Sequence, residues 1–202
     1  KIRLSTRPDA INGYILSYLK EFKVDIIELG VQSLDDNVLR LAGRGHSAYD
    51  VENASRLIKA EGFTLGHQIM PGLPGDTKEI DLATIKKSIE MKPDIARIYP
   101  ALVIKDTPME TMYNRGEYEP YSLDMAVEVS REMLKLYNAA KVKVIRIGLQ
   151  PTDTIAEGKD VVAGPFHPAF RELVEGSLIC ENIKEKTNES SDIIIEINSK
   201  DI

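Results

Sequence analysis

The sequence predicts an α/β fold, an open or incomplete parallel (β/α) barrel, from three observations. First, strand-like and helix-like patterns alternate along the chain, which implies parallel strands joined by right-handed crossovers. Second, alternate residues of the strand-like runs sort into one apolar face and one small or polar face. A closed eight-stranded barrel instead fills its interior with bulky branched side chains, and a doubly wound sheet is apolar on both faces. Third, two strand-like runs break into Gly, Pro and polar residues ahead of a helical segment, at Glu28 to Ser33 and at Gln68 to Thr77. In parallel α/β proteins such junctions are where ligands bind. Helices are therefore expected on the apolar face and a wet, ligand-holding concavity on the other.

The elements follow in order. Lys1–Ser5 is the first β-rich run and Asp9–Phe22 the first helical pattern. A strand at Val24–Val31 leads to a helix over Tyr49–Glu61, where Ser47 and Asp50 match a capping box. A strand at Phe63–Met70 leads to a helix over Thr77–Met91, with Asp76 and Glu79 in the same capping pattern. Ile95–Tyr99 is a strand. Leu123–Ala139 is a helix whose Val127, Ser130, Leu134 and Tyr137 mark a buried face, and Val142–Leu149 is a strand. Parity puts Ile2, Leu4, Ile27, Leu29, Val31, Leu65, Ile69, Ile98, Ile145, Ile147 and Leu149 on the apolar face. It puts Arg3, Ser5, Glu28, Gly30, Gln32, Gly66, Gln68, Arg97, Tyr99, Arg146, Gly148 and Gln150 on the polar one. His67 breaks the pattern, since alternation points it to the helix side. The polar stretch Glu181–Asp192 reads as a surface loop and Ile193–Ile197 as a further strand. The division expected is a barrel over 1–180 and a loop with a strand over 181–202, with both ends reading as cut.

Composition narrows the function classes. A chain of 202 residues suffices for one domain with a sizeable core. The net charge of −6 supplies no overall positive field for nucleic acid or anionic lipid, although a local basic patch is compatible with it. No run approaches the ~20 apolar residues of a membrane span and no signal peptide opens the chain, so no membrane partner is expected. The single cysteine, Cys180, excludes an internal disulfide and a multi-cysteine metal site within these residues, and low cysteine content fits a reducing, cytoplasmic setting. His46, His67 and His167 are too scattered to propose a metal site.

Several residues point to chemistry, each beside a plainer role. The Gln32 amide would project from a strand end into the lumen and bind a hydroxyl or carboxylate, or else cap the next helix through Ser33. Gly72-Leu73-Pro74-Gly75 makes a tight turn into a helix start, suited to an anion or to an ordinary βα loop. Arg44-Gly45-His46 is a basic turn before a capped helix. Lys105, after the strand ending at Tyr99, is placed for a Schiff base or for a solvated loop. Arg146 and Gln150 lie on the polar face, where an inward arginine needs either Glu28 or an anionic substrate. Tyr99 is a lumen wall residue.

Taken in order, these motifs resemble the radical S-adenosylmethionine superfamily, in the branch of the catalytic subunit of Elongator, with oxygen-independent coproporphyrinogen oxidase more distant. The matching residues are Ser5-Thr6-Arg7-Pro8-Asp9, Glu28 to Ser33, Arg44-Gly45-His46, Gln68 to Thr77, Arg97-Ile98-Tyr99-Pro100 and Leu102-Val103-Ile104-Lys105. Arg146-Ile147-Gly148-Leu149-Gln150 and Gly164-Pro165-Phe166-His167-Pro168 add a subgroup signature. The resemblance extends to about Leu173.

It implies a partial (β/α)6 TIM-like barrel of which this chain holds the later strands. It implies S-adenosylmethionine contacts at Ser5, Gln32, Arg44 and Gln68, with Tyr99 near the adenine and Lys105, Arg146 and Gln150 on the substrate side. The coproporphyrinogen oxidases carry acidic groups where this chain has Ser5 and Gln68. A [4Fe–4S] cluster held by a Cys-x3-Cys-x2-Cys loop belongs to the family, and this chain lacks that loop. The chain thus reads as the later part of a longer enzyme that forms a 5′-deoxyadenosyl radical, itself inactive, with a tRNA or a small molecule as substrate. A flavodoxin or ferredoxin is the expected electron donor. A Schiff-base lyase or aldolase using Lys105, and a non-catalytic binding barrel, stand as alternatives. An uncovered first strand predicts a homo-oligomer through that edge.

Overall fold

The computed structural model describes residues 1–150 and 159–187. The elements are β1 (Ile2–Thr6), α1 (Gly13–Glu21), β2 (Val24–Gln32), α2 (Asp36–Leu41), α3 (Ala48–Ala60), β3 (Thr64–Ile69) and α4 (Lys78–Glu90). They continue as β4 (Ile95–Ile98), β5 (Val103–Ile104), α5 (Pro108–Asn114), α6 (Leu123–Ala139), β6 (Lys143–Ile147), β7 (Val161–Ala163) and α7 (Phe170–Thr187). The five main strands form one parallel sheet in the order β1-β2-β3-β4-β6, so each neighbours the next in the chain, as in a barrel. Among the described residues β1 and β6 each pair on one side only, and the sheet is open. Beyond the ends of β4 and β6 the chain forms a small antiparallel pair, β5 with β7.

The helix side of the sheet is the core. Ile27, Leu29, Val31, Leu65, Ile69, Ala96, Ile98 and Ile147 are buried there with Leu16, Val51, Ile58, Ile85, Val129 and Met133 from the helices. His67 is on this side too, as alternation requires, and is fully buried. Its Nε2 lies 3.0 Å from the Ser55 hydroxyl and its Nδ1 2.8 Å from that of Ser88. Ser88 in turn lies 2.8 Å from the Tyr137 hydroxyl. A polar chain thus ties β3 to α3, α4 and α6. Burial, and secondarily the Lys59 charge, hold the imidazole neutral by lowering its pKa to about 3.

Where the structure differs from expectation, local geometry explains it. The strand β6 has an irregular register against β4: Ala96 pairs with Val144, then Arg97 with Arg146. The extra residue shifts the parity, so Val142 and Val144 join the core and Ile145 is only half-buried. Ile2, on an edge strand, is 52% exposed rather than in the core. In α6 the buried face runs through Ala126, Val129, Ser130, Met133, Leu134 and Tyr137, and Val127 sits at its margin.

Asp76 does not cap α4. Thr77 does, accepting from the Ile80 N–H, while the Ser47–Asp50 capping box of α3 forms as expected. The first helix begins at Gly13, capped by Asn12, after a separate 3-10 turn at Pro8–Ala10. The stretch expected as a loop from Glu181 is helical to Thr187, because α7 packs along α6 with Lys135 and Arg131 held to Glu181. The strand expected at Ile193–Ile197, and the part of that loop beyond Thr187, lie outside the described residues.

Candidate functional site

The concave face is organised around Glu28, which is 1% exposed. Glycine at position 66 makes room for it, since a Cβ there would stand 2.6 Å from the Glu28 Cγ. Arg97 donates to both Glu28 oxygens, from Nε at 2.6 Å and from Nη2 at 3.1 Å. Arg3 adds a contact at 3.1 Å, and Gln68 donates to Glu28 at 3.2 Å and to the Ser5 hydroxyl at 3.0 Å. Arg97 also donates to the Tyr99 hydroxyl at 2.8 Å. Burial opposes the Arg97 charge, but the bonds to Glu28 and Tyr99 outweigh it and raise its pKa.

Arg146 pairs in register with Arg97 and lies half-buried on the same face. Glu28 was one of two partners expected for it, and Glu28 is taken by Arg97 and Arg3. The strand order decides this, because β3 and β4 lie between β2, which carries Glu28, and β6, which carries Arg146.

Gln32 ends β2 with a left-handed φ of 66°. Its amide folds back over Gly30, with Nε2 only 2.9 Å from where a Gly30 Cβ would be. Beyond the strand ends, Arg44 lines a pocket of about 290 Å³ with Met70, Pro100, Leu102, Met109 and Leu149. Arg44 Nη2 lies 3.0 Å from the Met70 sulfur, and Nε is buried without a partner. Burial in this apolar setting lowers its pKa. A guanidinium left with an unmet donor inside an apolar wall favours an anionic ligand group.

The structure therefore brings Ser5, Gln32, Gln68, Tyr99 and Arg146 to one face and sets Arg44 at its rim. Lys105 and Gln150 are exposed. Lys105 lies in the turn after β5, tied by its backbone N–H to the Asp160 carbonyl at 2.8 Å, and Gln150 sits at the mouth of a polar cleft with Arg146 and Arg171.

Sequence reasoning missed one polar cluster. Asp76 and Asp81 lie together beneath the Gly72–Gly75 turn, with the Tyr121 hydroxyl donating to Asp81 at 2.8 Å and that of Tyr118 to the Gly72 carbonyl at 2.6 Å. Burial first, then the Asp76 charge, push the Asp81 carboxyl up, and burial pushes Asp76 up as well. The two tyrosines come from the distant segment before α6, and no local pattern marks them as partners of this turn.

The residues present do not fit an iron–sulfur cluster. Cys180 is the sole cysteine of the sequence and is exposed on α7, and among the described residues no group of His, Cys, Asp or Glu side chains could hold a metal ion. No described helix is long and apolar enough to cross a membrane.

Comparison with known proteins places this architecture. Residues 1–87 match the model of the radical SAM superfamily, and residues 93–179 match that of the radical SAM C-terminal domain. The chain is 36% identical over 129 residues to a tRNA uridine(34) acetyltransferase of Methanocaldococcus infernus, covering 62% of this chain and 24% of that protein. It is 33% identical over 138 residues to human Elongator complex protein 3, covering 67% of this chain and 25% of that one. It thus spans about a quarter of the length of these relatives.

Among solved structures, the archaeal Methanocaldococcus infernus Elp3 with an N-terminal deletion superposes with a TM-score of 0.77 at 28% identity, over 90% of this chain and 43% of that one. The coproporphyrinogen III oxidase of Escherichia coli, at 19% identity and a TM-score of 0.59 over 69% of this chain and 32% of its own, shares the fold. The open parallel sheet, the polar concave face and two consecutive family matches agree: this chain belongs to the radical S-adenosylmethionine superfamily, in its Elongator-like branch.

Proposed function

We propose that this chain supplies the cofactor- and substrate-binding face of a cytoplasmic radical S-adenosylmethionine enzyme. The observation that carries the reading is the contrast between the two faces of one sheet. The helix side is apolar and closed, while the concave side presents Ser5, Gln32, Gln68, Arg97, Tyr99 and Arg146 in one continuous polar surface.

In this reading Gln32, Gln68 and Ser5 hold S-adenosylmethionine by hydrogen bonds, Arg44 meets an anionic group of it, and Tyr99 lines the adenine side. The Gln32 amide lying over Gly30 and the unmet Arg44 Nε suit such a ligand. The chemistry supplied by the bound cofactor is hydrogen abstraction by a 5′-deoxyadenosyl radical. The chain's own share is to bind, orient and keep water away. Arg146, half-buried on the concave face beside Arg97, receives an anionic group of the substrate, with Gln150 and Lys105 bordering that side. The reducing cluster does not fit these residues, so its ligands come from outside them and the chain alone is inactive. An electron donor of the flavodoxin or ferredoxin type serves the whole protein. The substrate this reading favours is a tRNA uridine, supported by the similarity to tRNA uridine(34) acetyltransferases; a small molecule is the other.

The test is to express the longest native reading frame containing this segment, purify it without oxygen, and measure iron, sulfide and 5′-deoxyadenosine. About four of each inorganic ion per chain, with 5′-deoxyadenosine released on reduction, is expected. An intact cluster that yields no 5′-deoxyadenosine overturns the reading.

A further inference from the structure

We infer that His46 is the positioning residue for Gln32, holding the strand end in the strained conformation that turns the Gln32 amide into the cofactor site; the inference rests on the cofactor role proposed above. His46 is 9% exposed, and its Nε2 lies 3.1 Å from the Val31 carbonyl oxygen. A carbonyl only accepts, so Nε2 carries the hydrogen. The other nitrogen, Nδ1, is buried and has no hydrogen-bond partner among the described residues. The same Val31 oxygen also accepts the Ser33 N–H at 2.8 Å. A bond from residue 33 to residue 31 across a central residue at φ 66° is a γ-turn of the rare, strained hand. Gln32 is not a glycine, so this backbone persists only where its surroundings impose it.

Two contacts impose it from outside the turn. His46 holds the carbonyl before Gln32, and the Met70 N–H holds the carbonyl of Gln32 itself at 2.9 Å. The pairing of β2 with β3 shifts register at this place, from Leu29 with His67 to Gln32 with Ile69. Without the imidazole the Val31 carbonyl is free to rotate, Gln32 relaxes to an extended φ, and its amide leaves Gly30.

The Arg44-Gly45-His46 turn thereby acts as one clamp. Arg44 faces the apolar pocket, His46 grips the strand end, and Arg7, itself paired with Asp9, donates to the Gly45 carbonyl at 3.3 Å between them.

The experiment uses the 202-residue chain, three single variants and one double variant. His46→Gln keeps an N–H donor where Nε2 stood, His46→Asn places it too short, and Gln32→Ala removes the amide. Calorimetric titration with S-adenosylmethionine is expected to show near-normal binding for His46→Gln and about tenfold weaker binding for His46→Asn. His46→Asn combined with Gln32→Ala is expected to bind no more weakly than Gln32→Ala alone, because both act through one amide. Additive losses, or no rescue by glutamine, overturn the inference.

Two measurements decide it without ligand. Long-range nitrogen–proton correlation on the unmodified chain is expected to show His46 as the Nε2–H tautomer, and the amide–Hα coupling of Gln32 is expected to report a left-handed φ that is lost in His46→Asn. The opposite tautomer, or an unchanged coupling, overturns the inference. A chain that passes both and binds no S-adenosylmethionine counts instead against the cofactor role of Gln32.

Discussion

His67 and Glu28 show how differently two buried polar groups are kept in one sheet. Glu28 is surrounded by donors from Arg97, Arg3 and Gln68, and removing Arg97, which bonds both of its oxygens, would leave a buried charge under-compensated. His67 is kept neutral, bonded only to hydroxyls. Its folded pKa lies below the ordinary 6.5, at about 3. The unfolded chain therefore binds a proton that the folded chain refuses, and stability falls as pH drops below 6.5. The expected slope from this residue is about 1.4 kcal/mol per pH unit. Urea denaturation from pH 7 to 4.5, compared with His67→Gln, checks it: the difference in stability between the two proteins should change by about 2–3 kcal/mol, against the native chain at low pH. Parallel curves would mean that His67 is solvated or charged. Parity in the sequence placed His67, Glu28 and Arg97 on their faces. It could not choose which arginine takes Glu28, because the order of strands in the sheet decides that, nor show that Ser55, Ser88 and Tyr137 converge, because they lie on three helices.

Turns and caps are where element boundaries departed from the pattern. Asp76 and Glu79 have the spacing of a capping box, yet Asp76 is drawn beneath its turn toward Asp81 and Thr77 takes the cap. Thr77→Ala is therefore expected to cost about 1 kcal/mol of stability, read as a lower urea midpoint with an unchanged slope. A loss from Thr77→Ala smaller than the error of the fit would mean that the cap is not carried by this side chain. The strand β6 read correctly as a strand, but one added residue reversed its parity below Arg146, and short-range alternation cannot see a bulge that the neighbouring strand imposes. Polar composition hid the end of α7 for a related reason: its exposed face is charged, and what keeps it helical is packing and ion pairing against α6.

At the scale of the molecule the sheet is open among the described residues, and exposed apolar side chains stand on its first strand and around the helix that follows. Tyr14 and Tyr18 on α1 and Phe22 at its C-cap stand exposed at helical spacing, the Tyr18 and Phe22 ring centroids 4.8 Å apart, and Ile2 on β1 is exposed too. We propose that a second copy of the chain covers this edge, since a strand edge without a partner among the described residues, together with exposed aromatic side chains, favours association. Sedimentation equilibrium is expected to show a dimer that Tyr18→Glu with Phe22→Glu returns to monomer; a native chain that is monomeric at assay concentration overturns it. The sequence by itself determined the order of strands and helices, the polar and apolar faces of the sheet and the family, because all three are written in local periodicity and in short contiguous motifs. Only the tertiary structure decided which charges meet on the concave face, the turn that carries Gln32 and the buried carboxylates under the Gly72–Gly75 loop. Those depend on register and on contacts between segments tens of residues apart, where burial makes a small displacement energetically costly.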